Sequence, residues 1–255
     1  MDYLVKEIDS LLQWLREQQI KAGRSGLLVG VSGGIDSAVT AALIRRAAGE
    51  AALGLILPCH SSPQDLEDAL LVCQTVGLAH LQYDLSAVHQ ELLGGIMERL
   101  SAPTDRPIDD QSRRIADANL RARLRMCALY TVANARDCLV VGTDNAAEVY
   151  TGYFTKYGDG GVDLLPLSQF TKREVRALGR LLGLPERIIQ RIPTAGLWSG
   201  QTDEAEMGVT YDQIDDLLEG KPVDQLARQR IESLHQATEH KRCLPLAYQR
   251  RHPRN

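Results

Sequence analysis

The stretch Leu27-Leu28-Val29-Gly30-Val31-Ser32-Gly33-Gly34-Ile35-Asp36-Ser37 decides how this chain folds. It begins with a short, continuous apolar run, which is typical of a buried parallel strand. The chain then turns over Ser32-Gly33-Gly34, and from Asp36 to Ile44 the residues have helical spacing. A strand, a glycine turn and a helix in this order aim backbone N–H groups and the positive end of the helix dipole at one point. The stretch therefore predicts an anion-binding turn.

The side chains of this turn favour a phosphate ligand. Its glycines let the backbone approach an anion closely, Ser32 and Ser37 offer hydroxyl groups, and Asp36 offers a carboxylate that can hold Mg²⁺. The turn lacks the lysine of a Walker A loop and the GxGxxG of a dinucleotide fold. An ordinary βα turn tightened by glycine is the alternative. The sequence SGGIDS resembles the pyrophosphate loop of the ATP pyrophosphatase superfamily, whose members cleave ATP between the α and β phosphates.

Composition sets the class of protein. With 255 residues and 44% hydrophobic content, the chain can bury one large core or two small ones, and a single domain over residues 1–255 is the simplest interpretation. No apolar run is long enough to span a membrane, and the first residues lack the features of a signal peptide. Five scattered cysteines without a CxxC pair fit reduced thiols, so we expect a cytoplasmic protein. The net charge of −4 argues against a nucleic-acid partner.

Apolar strand patterns alternate with helical ones along the first 143 residues. Helices are predicted at 3–20, 64–77, 86–100 and 113–136, and further strands at 52–58, 80–85 and 138–143. This alternation predicts an α/β fold, a doubly wound parallel sheet with helices on both faces. Ligands of such sheets bind at the carboxyl ends of the strands, where Ser32-Gly33-Gly34 and Thr143-Asp144-Asn145 both lie.

Two segments of the second half carry chemistry. Glu148 would lie near Asp36 if the strands before them are neighbours, and two carboxylates facing a triphosphate hold Mg²⁺. On its own, Glu148 could equally be a solvated helix residue. The segment Gly152–Asp163, GYFTKYGDGGVD, combines four glycines with aromatic, basic and acidic residues. Such a mixture is typical of a binding loop rather than of regular structure.

The motifs SGGIDS, GTDNAAE, GYFTKYGDGGVD, TKRE, PTAGLW, DE, YDQIDDLL and EHKR occur in this order and cover nearly the whole chain. Together they resemble the ammonia-dependent NAD synthetases, whose fold is the Rossmann-like, three-layer adenine nucleotide alpha hydrolase type. The resemblance implies that ATP adenylylates the carboxylate of deamido-NAD and releases pyrophosphate. Ammonia then displaces AMP and gives NAD. It also implies a homodimer, with the helix at 113–136 in the interface.

The resemblance assigns roles to individual residues. It implies that Asp36 and Glu148 hold Mg²⁺ and that the catalytic residues are Asp36, Lys172 and Asp163, the last beside the reacting carboxyl group and ammonia. The implied ATP contacts are Gly30, Val31, Ser32, Gly33, Gly34, Ile35, Asp36, Ser37, Thr143, Lys172 and Thr194. The implied deamido-NAD contacts are Asn119, Arg123, Tyr153, Lys156, Asp159, His240 and Lys241. Cys59-His60-Ser61-Ser62-Pro63-Gln64 matches no adenine contact of the family.

The SGGIDS loop is also compatible with two other functions. One is another adenylating enzyme, of the GMP-synthetase or tRNA-modifying kind, although a tRNA thiolase would need a reactive cysteine pair and a basic surface. The other is a nucleotide-binding module without catalysis, which would not need Asp36 and Glu148 together with a second binding loop. Since glutamine-dependent relatives carry an amidase domain of their own, we expect this chain to use free ammonia.

Overall fold

The computed structural model describes residues 2–101, 108–194 and 202–248. Four parallel strands form one sheet in the order β3-β2-β1-β4: β1 Gly26–Gly30, β2 Ala52–Ile56, β3 His80–Gln82 and β4 Cys138–Val140. In the register of this sheet, Leu28 lies between Leu53 of β2 and Val140 of β4. The predicted parallel sheet is therefore confirmed, and β1 and β4 are neighbours. The strands are shorter than predicted, and an extended chain continues beyond β3, where Tyr83 N donates to Ile56 O.

Helices follow the strands as the sequence predicts. The long helix begins at Asp110 rather than at 113, because the carboxylate of Asp109 accepts a hydrogen bond from Ser112 N and caps the helix there. The described helices are α1 Asp2–Lys21, α2 Ile35–Ala48, α3 Pro63–Val76, α4 Ser86–Ser101, α5 Asp110–Arg136, α6 Ala146–Thr151, α7 Lys172–Leu181, α8 Glu186–Ile189, α9 Asp203–Met207, α10 Tyr211–Leu218, α11 Gln225–Ala237 and α12 Glu239–Arg242.

The two faces of the sheet bury different clusters. Leu27 and Val29 of β1 pack into a large cluster that includes residues of α1, α2, α3, α7 and α8. Leu28 points the other way and packs with Val140 and with the apolar side of α5. This alternation follows from the two-residue period of a strand, and both faces are apolar because helices cover both.

A third apolar cluster lies beyond β4 and involves α6, α9, α10 and α11. Ala147, Tyr211 and Ile231 are among its buried members. It fixes α6 and α10 near the carboxyl end of the sheet, and these helices carry Glu148 and Tyr211. In the three described ranges, no helix combines the length and the apolar character that crossing a membrane requires.

Candidate active site

The glycine turn between β1 and α2 is built to hold a ligand. Gly34, the N-cap of α2, provides no side-chain hydrogen bond, so the first N–H groups of the helix are available to an anion. Gly33 has φ +84°, and a Cβ placed there would lie 2.7 Å from Asp68 Cβ and 2.9 Å from Ala69 N. Only glycine fits this position, since α3 packs directly against the turn. Within the turn, Ser37 Oγ accepts a hydrogen bond from Ser32 N at 3.2 Å.

Beside the turn, one buried lysine joins two carboxylates. The Nζ atom of Lys172 lies 2.5 Å from Asp36 Oδ2 and 3.3 Å from Glu148 Oε1. Asp36 lies in the first turn of α2 after β1, and Glu148 lies on α6 after β4, so the adjacency of the two strands brings the acids together. Lys172 is the first residue of α7, directly after its N-cap Thr171, and is only 2% exposed. Asn145 Nδ2 donates to the second oxygen of Asp36 at 2.8 Å.

Burial and charge act against each other in this cluster. Burial raises the pKa of Glu148 to about 7, although the ammonium group of Lys172 acts in the opposite direction. Burial alone would lower the pKa of Lys172, but the charges of Asp36 and Glu148 outweigh it and raise that pKa. Tyr211 Oη lies 3.0 Å from Glu148 Oε1 and 3.0 Å from Asp203 Oδ2. The cluster is thus an acidic site that binds positive charge tightly.

A cavity of about 990 Å³ opens over the turn and the Lys172 cluster. It extends from the glycine turn along α5 to the segment at 152–159 and to residues 191–194. Most of the residues implied by the resemblance line it. They are Gly30, Val31, Ser32, Gly34, Ile35, Asp36, Ser37, Asn119, Thr143, Glu148, Tyr153, Asp159, Lys172, Thr194 and Lys241. Gly33, Arg123, Lys156, Asp163 and His240 do not line it.

Hydrogen bonds hold the segment from Gly152 to Asp163 at the far end of the cavity. Thr155 donates through Oγ1 to Asn119 Oδ1 at 2.7 Å, and its N–H donates to Asp159 Oδ1 at 2.9 Å. Lys241 Nζ donates to the carbonyl oxygens of Gly152 at 2.8 Å and Phe154 at 2.7 Å. Lys241 therefore stabilises the segment while its side chain also lines the cavity.

Three of the implied residues lie behind this segment instead of in the cavity wall. Lys156 Nζ donates to the carbonyl oxygens of His240 and Cys243, and Arg123 Nη2 donates to Lys156 O at 3.4 Å. These contacts connect α5, the segment at 152–163 and the chain after α11.

The comparisons with known proteins agree with this geometry. The sequence profile of the NAD synthase family matches residues 7–245. The chain is 51% identical over 242 residues to the NH(3)-dependent NAD(+) synthetase of Alkaliphilus metalliredigens, covering 95% of this chain and 97% of that protein. The corresponding protein of Alkaliphilus oremlandii is 49% identical over 240 residues, covering 94% and 95%. This chain belongs to the NAD synthase family.

Solved structures of the family share the whole fold. The NMN synthetase of Francisella tularensis superposes with a TM-score of 0.88 at 39% identity, over 96% of this chain and 98% of that one. The NAD+ synthetase of Burkholderia pseudomallei superposes with a TM-score of 0.77 at 35% identity, over 95% and 91%. These matches favour the NAD synthase family over the GMP-synthetase-like, tRNA-modifying and non-catalytic alternatives.

The carboxylate of Asp163 is hydrogen-bonded at the end of β4. Its Oδ2 accepts a hydrogen bond from Val140 N at 2.8 Å and its Oδ1 accepts one from Tyr130 Oη at 3.0 Å. Both carboxylate oxygens are thereby used at the end of β4, outside the cavity lining. A direct role of Asp163 beside the reacting carboxyl group stays a prediction.

The sequence interpretation missed other residues of the cavity wall. Asp144 is 5% exposed, lines the cavity and has no hydrogen-bond partner in residues 2–101, 108–194 and 202–248. Burial raises its pKa, and the charges of Asp159 and Glu148 add to the effect. The signal for Asp144 was its place at a strand end beside Thr143. Asp203 and Tyr211 lie within the motifs DE and YDQIDDLL, but nothing in their local sequence distinguishes an acid or a tyrosine that faces a distant carboxylate.

The unassigned segment after β2 also reaches the cavity. Leu57, Pro58 and Ser61 contribute to its lining, together with Asp65 at the start of α3. Arg191 bonds to Asp65 and lies 2.8 Å from Asp68 Oδ2, so it holds the chain before Thr194 against α3. The remainder of the PTAGLW motif, from residue 195, lies outside the described residues.

Proposed function

We propose that this chain is an ammonia-dependent NAD synthetase, which amidates deamido-NAD in two steps at the cavity described above. ATP first adenylylates the nicotinate carboxylate, and ammonia then displaces AMP. The observation that carries the proposal is the convergence of Asp36 and Glu148 on one cation, Lys172, directly beside the N-terminus of α2. Such an arrangement suits the cleavage of ATP between its α and β phosphates, because positive charge and N–H groups meet where pyrophosphate departs.

In this proposal the glycine turn binds the phosphates of ATP. Ser32, Gly34 and Ser37 line the cavity, and the N–H groups at the start of α2 would neutralise part of the phosphate charge. Lys172 contributes a buried ammonium group that would meet the phosphates once its carboxylate partners are otherwise occupied. Thr143 and Thr194 line the same cavity and complete the proposed ATP contacts. Adenylylation is needed because a carboxylate does not react with ammonia, whereas an acyl adenylate carries a good leaving group.

The donor set fits Mg²⁺. Asp36 and Glu148 present carboxylate oxygens to a single point that a positive charge already approaches, the ammonium group of Lys172. We infer that these two residues hold Mg²⁺ when ATP binds. When bound, Mg²⁺ neutralises the charge that develops on the departing pyrophosphate. Asn145 keeps Asp36 oriented through its hydrogen bond to the other oxygen.

Deamido-NAD is proposed to occupy the remainder of the cavity, between α5 and residues 152–159. Asn119, Tyr153, Asp159 and Lys241 line this part and offer an aromatic face, hydrogen-bonding groups and charge. Arg123, Lys156 and His240 would act from behind the wall, by fixing the backbone of the segment. A cavity of about 990 Å³ has room for ligands larger than one nucleotide.

Two residues are candidates for the carboxylate that meets the incoming ammonium ion, which must lose a proton before it can attack. The resemblance points to Asp163, but both of its oxygens accept hydrogen bonds at the end of β4. The geometry favours Asp144, whose buried carboxylate lines the cavity and has no hydrogen-bond partner in the described part of the chain. We therefore propose that Asp144 attracts the ammonium ion and that Asp163 positions the strand end.

We also infer a homodimer. The long helix α5 has only Arg121 and Ala133 buried along its 27 residues, and Ile115 is 52% exposed. Beside it, α4 carries apolar side chains at a four-residue spacing that are 42–44% exposed: Val88, Leu92, Ile96 and Leu100. An apolar stripe of this kind is typical of a surface that another chain covers, and a second copy would bury both helices across a two-fold axis.

A second candidate function is the amidation of a mononucleotide. The Francisella tularensis structure with a TM-score of 0.88 is described as an NMN synthetase. Nicotinate mononucleotide would present the same carboxylate to the same ATP site, without the adenylyl half of deamido-NAD. The two functions differ only in how far the substrate extends from the reacting centre.

The test supplies the purified chain with ATP, Mg²⁺, ammonium and one of the two substrates. We expect amide formation with deamido-NAD to have the larger kcat/KM, and glutamine to replace ammonium in neither reaction. A larger kcat/KM with nicotinate mononucleotide would support the second function. Activity with neither substrate would overturn both.

A further inference from the structure

Outside the cavity lining, a cysteine and two histidines present their ligand atoms to one another. The Sγ of Cys59 and a ring nitrogen each of His60 and His89 lie within 4.8 Å of one another. His60 Nε2 and His89 Nδ1 are 3.1 Å apart, and the two rings meet edge to face. None of the three lines the large cavity, and the proposed reaction does not use them.

The fold fixes this cluster from two directions. Cys59 and His60 follow β2, and His89 lies in the first turn of α4. His60 has φ +54°, a left-handed conformation that is uncommon for a residue other than glycine. It is held there by its N–H group, which donates to Ser86 Oγ at 2.8 Å. The unusual backbone turns the imidazole of His60 toward His89.

The surroundings of His89 are those of a metal-binding histidine. Its Nε2 lies 2.8 Å from Asp117 Oδ1, and Asp117 is also paired with Arg121 at 2.9 Å. The angles of this contact are not those of a hydrogen bond, but a carboxylate this close can hold Nε2 of a ligating histidine and leave Nδ1 to face a metal ion. His89 is 2% exposed, and burial lowers its pKa.

A pair of histidines that share a hydrogen bond is the simplest alternative. It would explain the 3.1 Å contact, but not the cysteine beside it. Cys59 is 1% exposed. Burial raises the pKa of its thiol, and metal binding would release the thiol proton.

We propose that Cys59, His60 and His89 bind a thiophilic divalent cation such as Zn²⁺. One sulfur and two imidazole nitrogens form a ligand set that Zn²⁺ prefers, and a water molecule would complete the tetrahedron. Tetrahedral Zn²⁺ at its usual bond lengths separates its ligand atoms by about 3.5 Å. No two of the three ligand atoms here are more than 4.8 Å apart, and the exposed His60 side chain has room to rotate toward a bound ion.

The metal site lies directly behind the cavity wall. Ser61, two residues after Cys59, lines the cavity, and Arg125 donates to both Leu57 O at 3.0 Å and Ser61 Oγ at 3.3 Å. A bound cation would connect the chain after β2 to α4, and through Asp117 to α5. We therefore expect Zn²⁺ to stabilise the fold.

The experiment titrates the metal-free, full-length chain with Zn²⁺ against a chromogenic chelator. We expect one equivalent to bind, with affinity at least about 10-fold weaker in Cys59→Ala and in His60→Asn. Asp117→Asn retains all three ligands and should weaken binding by about 10- to 100-fold. The control is Cys127→Ala, which removes an exposed thiol of α5 far from the proposed ligands in sequence. It should leave the affinity for Zn²⁺ unchanged. Zn²⁺ should also raise the Tm of the wild type, but not that of Cys59→Ala.

Spectroscopy identifies the ligands independently. With Co²⁺ in place of Zn²⁺, we expect a thiolate-to-cobalt charge-transfer band that Cys127→Ala keeps and Cys59→Ala loses. His60→Asn keeps the experiment interpretable if Cys59→Ala fails to fold, because His60 is exposed and asparagine tolerates its left-handed backbone. Unchanged Zn²⁺ affinity in His60→Asn, or the absence of saturable binding by the wild type, would overturn the proposal.

Discussion

Lys172 donates through Nζ to Asp36 Oδ2 at 2.5 Å, although the two residues are 136 positions apart in the chain. The same ammonium group reaches Glu148 Oε1 at 3.3 Å, and its side chain is 2% exposed. The contact joins the first turn of α7 to the first turn of α2. It therefore links the fold of the second half of the chain to the phosphate-binding turn of the first.

Replacement of Lys172 by glutamine should destabilise the fold, because two largely buried carboxylates would lose their cation. Removal of one member of a buried ion pair costs about 3–5 kcal/mol, measurable by urea unfolding. Mg²⁺ should restore part of this loss and raise the Tm of Lys172→Gln more than that of the wild type. An equal Mg²⁺ effect on both proteins would contradict the assignment of Asp36 and Glu148 as the metal ligands.

Gly33→Ala tests the close approach of α3 to the glycine turn. The added Cβ would meet Asp68 Cβ at 2.7 Å and would require φ +84°, so we expect a loss of about 1–3 kcal/mol in unfolding free energy and weaker ATP binding. Gly94→Ala is the matched control. Gly94 lies inside α4, and no atom of the described residues is within 4 Å of a Cβ placed there, so alanine should stabilise the helix by about 0.5–1 kcal/mol. If Gly33→Ala binds ATP as tightly as Gly94→Ala does, the proposal that the glycine turn binds ATP is contradicted.

Leu92→Lys should disrupt the proposed dimer. The substitution places a charge in the middle of the exposed apolar stripe of α4, where a second chain would have to desolvate it. Light scattering should find the wild type as a dimer and Leu92→Lys shifted toward the monomer. Ile20→Lys, on the exposed side of α1, is the control and should remain dimeric. If the wild type is a monomer at the concentrations of the assay and is fully active, the proposal of a homodimer is contradicted.

Asp144→Asn and Asp163→Asn distinguish the two candidates for the carboxylate that meets ammonium. We expect Asp144→Asn to lower kcat/KM for ammonium by about 100-fold, the size of effect typical of a lost proton acceptor, with little change in stability. Asp163→Asn should instead reduce stability by about 1 kcal/mol, since the hydrogen bond to Val140 N weakens. Steady-state kinetics and unfolding measured on both variants decide between them. The reverse pattern would return the role to Asp163.

The sequence predicted the parts of this site that local patterns determine. Local patterns define β1 and α2: an apolar run before Gly30 and helical spacing after Asp36. The spacing of apolar residues and the conformations open to glycine both depend on only a few neighbouring residues. Asp36 and Glu148 lie close together only because β1 and β4 are neighbours in the sheet. The alternation of strands and helices along the sequence does not determine this strand order. Only the resemblance singled out Lys172, whose local context is that of an ordinary first helical turn.

Other contacts could not be predicted, because they depend on where distant elements pack. Nothing near Asp163 in the sequence indicates that its carboxylate accepts the N–H group of Val140, 23 residues earlier. Likewise, Cys59 and His89 meet only because α4 returns beside the carboxyl end of β2. A position at the end of a strand predicts that a residue lies near a ligand, as it does for Asp144. It does not predict what that residue does there.

The central claim is that the Asp36, Lys172 and Glu148 site activates the carboxylate of deamido-NAD by adenylylation. The most direct measurement is the exchange of labelled pyrophosphate into ATP, with Mg²⁺ and deamido-NAD present and ammonium absent. We predict exchange that requires deamido-NAD and that falls at least about 100-fold in Asp36→Asn, the loss expected for one electrostatic contact to the departing group. Exposed Asp212→Asn should behave as the wild type. No exchange, or exchange at the wild-type rate in Asp36→Asn, would contradict the account.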